Sequence, residues 1–277
     1  MKRITLPCGA SVPALGQGAW HLGEDPARRD EEIATIRRGI DLGMALIDTA
    51  EMYGDGKSEL LVGEAIEGRR DEVFIVTKVY PHNASRRAMR TACDGSLQRL
   101  RIDVIDLYLL HWPGAVALDE TVAAFEALQK DGKIRQWGVS NFDTRLMRSL
   151  LTVPGGKAVQ TDQVLYNLAN RGVEWDLLPL LRQHRIPAMA YSPLEQGKLL
   201  KTRALTVFAK KHEMTPAQVA IAWLLAHEDV IAIPKTGNRK RLEENAGALA
   251  RRLTPPHLGE LDDLFPPPAG PTPLAMI

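Results

Sequence analysis

The sequence predicts an α/β fold: a (β/α)8 barrel of the TIM type, with an N-terminal β-hairpin and extra helices near the C-terminus. Short β-branched runs alternate with amphipathic segments eight times, and strands alternating with helices imply a parallel sheet. Dividing 277 residues by eight gives about 35 per unit, a normal strand–helix step. Runs such as VFIVTKV and DLYLLH are almost continuously apolar, which indicates burial on both faces. An open doubly wound sheet has the same local pattern, so periodicity leaves that alternative open.

The strands are predicted in order along the chain. A hairpin comes first, from residues 3–6 and 11–14 around the turn Pro7-Cys8-Gly9-Ala10. The barrel strands are predicted at residues 15–19, 45–48, 73–79, 105–111, 134–140, 159–165, 188–192 and 231–235.

Segments whose apolar residues recur at helical spacing lie between these strands. Ile33, Ile36 and Ile40 recur at helical spacing within residues 31–42, and residues 119–130 place an apolar stripe beside charge. Thr215-Pro216-Ala217-Gln218 reads as a capping box that opens a helix reaching about His227. Three glycines are expected to end helices: Gly43, Gly132 and Gly156.

Composition excludes several classes of protein. With 35 Lys and Arg against 34 Asp and Glu, the net charge of +1 argues against a general binder of nucleic acid or anionic membranes. No run of about 18 apolar residues exists, so no membrane span is expected. Two cysteines cannot build a disulfide framework and suit a reducing cytoplasm. We expect one domain over residues 1–277, with residues 1–14 as a cap and a proline-rich, irregular tail at 266–277.

Familiar motifs are absent. No GxGxxG dinucleotide fingerprint occurs, and the segment Gly56-Lys57-Ser58 has Glu51 where a P-loop needs glycine. Gly138-Val139-Ser140-Asn141-Phe142 lacks the closing glycine of a nucleophile elbow. None of the seven histidines has metal-ligand spacing, so no metal site is expected.

Polar residues close several predicted strands. Asp48, Lys78 and His111 end three successive apolar strands, and the ends of parallel barrel strands meet at one face. Alone, each is more simply a turn, cap or solvated side chain, but three in succession favour a site. A buried Lys78 would need a carboxylate, which Asp48 on the neighbouring strand can supply.

These residues resemble those of the aldo-keto reductase family. Asp48, Tyr53, Lys78 and His111 match its catalytic set, and further segments follow in the family's order over roughly residues 6–265: IDTAEMYG, TKV, YLLHW, GVSNF, QVLYN, AYSPL and IPKTGN. KVYP, ETVAAFEAL, QVLYN and RGVEWDLLP resemble bacterial members that act on methylglyoxal and other small carbonyls. The resemblance implies NADPH-dependent reduction of aldehydes or ketones, including small or aromatic aldehydes and methylglyoxal-like dicarbonyls. Without it, Tyr53 would read as a surface tyrosine in a glycine-rich loop.

The resemblance also implies the role of each catalytic residue. Tyr53 would protonate the carbonyl oxygen as hydride reaches its carbon. Lys78 would lower the pKa of the Tyr53 phenol, Asp48 would hold Lys78 charged and aimed, and His111 would orient and stabilise the carbonyl oxygen.

Cofactor and pocket residues follow from the same resemblance. Tyr191 would stack on the nicotinamide, and the basic cluster around Lys235 and Arg241 would bind the 2′-phosphate of NADPH. The full expected cofactor set is Gly18, Ala19, Trp20, Ser140, Asn141, Gln163, Tyr191, Ser192, Pro193, Leu194, Gln196, Lys235, Thr236, Gly237, Asn238, Arg241, Glu244 and Asn245. The expected substrate set is Trp20, Tyr80, His111 and Trp112, which Met52 and His82 would extend.

Departures from the family pattern bear on cofactor binding. Ala19 stands where many members have threonine, and Gly237 replaces an aromatic that some members stack on adenine. The short segment 195–202 reduces any belt over the diphosphate. Arg239 and Lys240 read as a solvated helix face balanced by Glu243 and Glu244.

Two other functions stay open at this stage. A non-catalytic barrel that binds nucleotide as a redox sensor would share the fold, but would have no need of all four catalytic residues. An unrelated barrel lyase or hydrolase is disfavoured by the missing motifs. We expect a small carbonyl substrate, no nucleic-acid or membrane partner, and a monomer.

Overall fold

Eight parallel strands follow one another in chain order in a single sheet, as the alternating pattern predicts. The computed structural model describes residues 2–277. An antiparallel hairpin precedes the sheet, with β1 at Arg3–Thr5 and β2 at Ser11–Pro13. The sheet consists of β3 Gln17–Gly18, β4 Leu46–Asp48, β5 Phe74–Val79, β6 Ile105–Leu110, β7 Ile134–Ser140, β8 Asp162–Leu165, β9 Ala188–Tyr191 and β10 Val230–Ala232.

Backbone hydrogen bonds join the first strand of this sheet to the last and so close the barrel. The Gly16 amide donates to Ala232 O at 2.8 Å, and the Ala232 amide donates to Ala14 O at 2.8 Å. Gly18 N then donates to Pro234 O at 3.0 Å. The open-sheet alternative is therefore excluded, because an open sheet leaves these edge groups unpaired.

Helices fill the intervals on the outside of the barrel. They are α1 Arg29–Asp41, α2 Lys57–Ala65, α3 Arg86–Leu100, α4 Leu118–Lys130, α5 Thr144–Thr152, α6 Leu177–Gln183, α7 Arg203–Lys211, α8 Pro216–Ala226, α9 Arg239–Ala246 and α10 Pro255–Leu264. Two helices separate β9 from β10 and two more follow β10, so the extra C-terminal helices are confirmed.

Some predicted boundaries change. The strand predicted at 134–140 matches β7, whereas the one predicted at 231–235 ends at Ala232, since Pro234 has no N–H to continue the ladder. Gly43 and Gly132 adopt φ of +85° and +70° after their helices. The prediction that Gly156 ends a helix is wrong, because α5 ends at Thr152 with Val153 as an extended C-cap. Gly156 instead begins a short 3-10 turn after Gly155, which has φ +75°.

Apolar side chains form two layers, one inside the barrel and one between strands and helices. The interior layer includes Leu107, Leu109 and Met189, and the hairpin residues Ile4 and Val12 pack against it from the N-terminal end. In the outer layer, Phe125 of α4 stacks on Trp137 of β7 at 5.2 Å between ring centroids. The hairpin thus covers the N-terminal end of the barrel, which we call the barrel floor. The side chains that follow the strands lie at the opposite end.

The tail at residues 266–277 forms no helix or strand, as its prolines predict. It is nevertheless attached, because Leu274 packs against the core. Across residues 2–277, none of the helices is long and apolar enough to cross a membrane. Within that same range, no group of three His, Cys, Asp or Glu side chains is placed to hold a metal ion.

Candidate active site

Lys78 lies at the centre of a buried polar cluster at the C-terminal end of the barrel. Its ammonium donates to Asp48 Oδ2 at 2.8 Å, to Thr49 O at 2.7 Å and to the Tyr53 hydroxyl at 3.2 Å. An ammonium group has three donors, and all three have an acceptor here. The structure therefore brings Asp48, Tyr53 and Lys78 together, and Lys78 bridges the other two.

Opposite charges and burial compete in the Asp48–Lys78 pair. Both side chains are almost fully buried, and burial raises the pKa of Asp48 and lowers the pKa of Lys78. The attraction between the two charges opposes both shifts, and Gln163 Nε2 adds a 2.7 Å hydrogen bond to Asp48 Oδ1. All three protons of the Lys78 ammonium and both oxygens of Asp48 have hydrogen-bond partners. Because this geometry satisfies the charged forms, we treat the pair as ionised.

Burial raises the pKa of Tyr53 well above the usual value of a phenol, and the negative charge of Asp48 raises it further. The net shift is therefore upward, opposite to the decrease that the resemblance implies, although the Lys78 ammonium still favours the phenolate by donating to its oxygen. The physical reason is that Asp48 neutralises the ammonium, which leaves the desolvation of a phenolate as the larger effect. Tyr53 thus holds its proton at neutral pH.

His111 completes the group of four. Its ring centroid lies 5.8 Å from that of Tyr53, at an interplanar angle of 74°. Burial lowers the pKa of His111 to about 2, and the charge of Lys78 contributes to this shift. Its Nδ1 is buried and has no hydrogen-bond partner within residues 2–277. The imidazole is therefore neutral.

Asn141 connects the ends of β6, β7 and β9. Its Nδ2 donates to His111 O at 3.1 Å and to Ser140 Oγ at 3.2 Å, and its Oδ1 accepts from the Tyr191 hydroxyl at 2.9 Å. Ser140 Oγ donates to Gln163 O at 2.7 Å. Four expected cofactor residues, Ser140, Asn141, Gln163 and Tyr191, are thus one connected network beside the catalytic group. Asn141 tolerates its φ of +60° better than most residues.

The loop after β9 carries Ser192, Pro193, Leu194 and Gln196. Ser192, Glu195 and Gln196 all adopt positive φ, which folds the loop back at the rim. Glu195 Oε2 accepts from Asn167 Nδ2 at 2.8 Å and from Asn170 Nδ2 at 2.7 Å. No sequence pattern indicates this anchor, because the segment QVLYN, which contains Asn167, carries no separate signal for it.

The segment from Lys235 to Asn245 forms the turn before α9 and the helix itself. Asn238 is the N-cap, and its Oδ1 accepts from Arg241 N at 3.1 Å. Lys235 and Arg241 are exposed, Thr236 and Glu244 are half-buried, and Gly237 and Asn245 are buried. Arg239 pairs with Glu243 at 3.3 Å, in agreement with its interpretation as part of a solvated face.

Glycine and aromatic residues form the rest of the rim. Gly18 hydrogen-bonds Pro234 O, and the Ala19 amide donates to Asp48 O at 2.8 Å. Tyr80 contacts Trp112 edge-on at 5.8 Å and stacks on His82 at 4.8 Å, while Trp112 lies 4.8 Å from His111. Trp20 contacts His21 in a tilted arrangement, with 4.2 Å between ring centroids. Glu51, which no sequence pattern indicates, accepts from Tyr80 N at 2.7 Å and holds this aromatic group in place.

Comparison with known proteins agrees with this geometry. A family profile described as the aldo/keto reductase family matches residues 14–265. Methylglyoxal reductase YeaE of Escherichia coli is 48% identical over 100% of this chain and 99% of its own length. Glyoxal reductase of Bacillus subtilis is 34% identical over 94% of this chain and 92% of its own. Among solved structures, an aldo/keto reductase from Klebsiella pneumoniae in complex with NADP and acetate superposes with a TM-score of 0.97 at 46% identity, covering 100% and 99% of the two chains.

Proposed function

The chain belongs to the aldo/keto reductase family, and from that premise we propose that it reduces methylglyoxal and similar small carbonyls at the Asp48–Tyr53–Lys78–His111 site. It is an NADPH-dependent oxidoreductase that converts aldehydes or ketones to alcohols. The observation that carries the site assignment is the hydrogen-bonded chain from Asp48 through Lys78 to the Tyr53 hydroxyl.

The residues at the barrel mouth have the chemistry that a nicotinamide dinucleotide needs. Ser140, Asn141 and Gln163 offer amide and hydroxyl groups for the carboxamide, and the ring of Tyr191 offers a stacking face beside them. Ser192, Pro193, Leu194 and Gln196 lie along the loop that would follow the diphosphate. At the adenosine end, Lys235 and Arg241 supply positive charge beside free backbone donors at the start of α9.

The proposed chemistry divides between the cofactor and the chain. When bound, NADPH supplies the hydride for the carbonyl carbon. Tyr53 supplies the proton for the carbonyl oxygen, and its raised pKa means that the proton is present at neutral pH. As the phenol loses its proton, the adjacent Lys78 ammonium stabilises the forming phenolate at 3.2 Å. Asp48 keeps that ammonium in position.

The neutral imidazole of His111 can donate one hydrogen bond to the same carbonyl oxygen. In a nearly dry pocket such a bond stabilises developing negative charge more strongly than in water. The bond also orients the carbonyl toward Tyr53, since both rings face the same volume. His111 is therefore proposed as the group that positions and polarises the substrate.

Small substrates fit the rim best. Tyr80 and Trp112 stand next to His111, and Trp20 follows β3, two strands away from β5 in the barrel. The short segment 195–202 provides no long enclosing loop. This supports methylglyoxal and small or aromatic aldehydes over bulky substrates. We further propose that the chain forms one barrel domain and acts as a monomer in the cytoplasm. The two unpaired cysteines support the proposed compartment, because free thiols suit a reducing environment.

The test is NADPH oxidation with methylglyoxal and an aldehyde panel, measured for the protein and for two Tyr→Phe variants. Tyr53→Phe removes the proton donor and is expected to lower kcat by at least about 100-fold, with the Kd for NADPH unchanged. Tyr108→Phe is the matched control, because Tyr108 is buried in the layer between strands and helices, beside Phe125 of α4 and away from the polar cluster. It is expected to retain full activity.

The outcomes separate the alternatives. NADPH binding without turnover of any aldehyde would refute the proposed reductase activity and would support the alternative function, a nucleotide-binding redox sensor. A substantial residual rate in Tyr53→Phe would refute the assignment of Tyr53 as the proton donor.

A further inference from the structure

The first turn of α1 lies against the start of α9, at the adenosine end of the proposed cofactor site. Arg28 Nη2 donates to Gly237 O at 3.4 Å, and Thr35 Oγ1 donates to the same carbonyl at 3.4 Å. A Cβ at position 237 would lie 3.0 Å from Glu32 Oε1 and 3.1 Å from Arg28 Nη2. The missing side chain of Gly237 is therefore what leaves room for the Arg28 guanidinium.

Most of the hydrogen-bonding capacity of Arg28 is unused. Its nearest carboxylate oxygens are Glu32 Oε1 at 3.8 Å and Glu31 Oε2 at 3.9 Å, too far for good hydrogen bonds. Glu32 already accepts from Gly23 N at 2.8 Å through its other oxygen. A guanidinium has five N–H donors, and the contact with Gly237 O uses only one of them.

Arg28 also contributes to the positive field around Lys235. Burial lowers the pKa of Lys235, and the charges of Arg28 and Arg241 lower it further, against Glu32 and Glu24. Arg28 and Arg241 thus both repel Lys235 at this turn. A dianion placed among them would relieve that repulsion, whereas a neutral hydroxyl would not.

We propose that Arg28 is a third cation of the 2′-phosphate site and a determinant of the preference for NADPH over NADH. This inference rests on the proposed function, since it concerns the same cofactor. Its basis is an arginine with free donors at the N-cap of α1, which contacts the carbonyl of Gly237, two residues after Lys235 and four before Arg241. Neither the strand-end pattern nor the cluster Lys235–Arg241 indicates it, because Arg28 lies more than two hundred positions away in sequence.

The experiment measures Kd for NADPH and for NADH in Arg28→Met, with Arg29→Met as the matched control. Methionine keeps an apolar stem and removes the charge, while Arg29 points to Glu64 at 2.6 Å instead. We expect Arg28→Met to raise the Kd for NADPH about fivefold, the upper end for an exposed ion pair, and to leave the Kd for NADH unchanged. The dependence of the NADPH Kd on salt should weaken too. Arg29→Met should change neither Kd.

A second variant tests the contact between Arg28 and Gly237 by a substitution at Gly237. Gly237→Ala places a Cβ against Arg28 and Glu32, so it should also weaken NADPH selectively. An unchanged NADPH Kd in Arg28→Met, or an equal loss for NADH, would overturn the assignment of Arg28. Failure of the proposed function looks different: turnover would be absent for every aldehyde while the selective change in Kd persisted.

Discussion

His111 is buried next to Lys78, where a protonated imidazole is costly. Its pKa lies at about 2 in the folded protein and near 6.5 in the unfolded chain. Between these two values the unfolded state binds one more proton than the folded state. The stability that neutral His111 contributes is therefore complete above about pH 6.5 and is lost as the pH falls below it.

We predict that this group alone costs about 2 kcal/mol of unfolding free energy on going from pH 8 to pH 5. His111→Gln removes the titrating group, so its unfolding free energy should fall by that much less over the same interval. The measurement is urea unfolding at both pH values. Exposed His184→Gln, at the end of α6, is the control and should behave like the parent protein. Equal pH dependence in parent and His111→Gln would contradict the prediction.

At the residue scale, sequence patterns predicted which side chains meet but not the balance of charges between them. Asp48, Lys78 and His111 were found because each closes an apolar strand, and Tyr53 was found only through the family resemblance. The upward pKa shift of Tyr53 was not predictable, since it depends on how completely the site is buried. The partner role of Thr49 O was missed for a related reason: any residue has a backbone carbonyl.

At the scale of elements, α8 shows how local sequence alone can fix a boundary. Thr215 Oγ1 accepts from Gln218 N at 3.2 Å, and Gln218 Oε1 accepts from Thr215 N at 3.2 Å, which is the predicted capping box. Pro216 occupies the first helical position. Such boundaries are predictable because all the groups involved lie within four residues.

We predict that Thr215→Ala lowers the unfolding free energy by about 1 kcal/mol, because the Gln218 amide at the helix start loses its side-chain acceptor. Thr206→Ala is the control. Its hydroxyl is exposed on α7 and donates to Thr202 O within its own helix, so its loss should be close to neutral. Urea unfolding measures both variants. A Thr215→Ala cost no larger than that of Thr206→Ala would show that the box contributes nothing.

Other boundaries depend on neighbours rather than on local sequence. The predicted last strand extends to residue 235, but pairing in β10 stops at Ala232 because of Pro234. Residues beyond it still contact the first strand, through Pro234 O and Lys235. That contact places Lys235 at the rim, and no periodicity within residues 231–235 could have revealed it.

At the scale of the whole molecule, the two ends of the barrel have different tasks. The polar cluster is at the C-terminal end of the strands, while the hairpin covers the N-terminal end with apolar side chains. The unit count predicted this barrel, and the closing bonds between Ala14, Gly16 and Ala232 distinguish it from an open sheet. Stability and catalysis should therefore respond separately to substitutions at opposite ends.

Ile4 tests this separation, because it is only 4% exposed and packs into the barrel floor. Ile4→Ala leaves a cavity and is expected to cost about 2–5 kcal/mol of unfolding free energy. The folded variant should keep the kcat of the parent protein with methylglyoxal, since the polar cluster lies at the other end. Val207→Ala, at a side chain that is 59% exposed, is the control and should change neither quantity. A fall in kcat that matched the loss of stability, measured where the variant is fully folded, would show that the floor and the site are coupled.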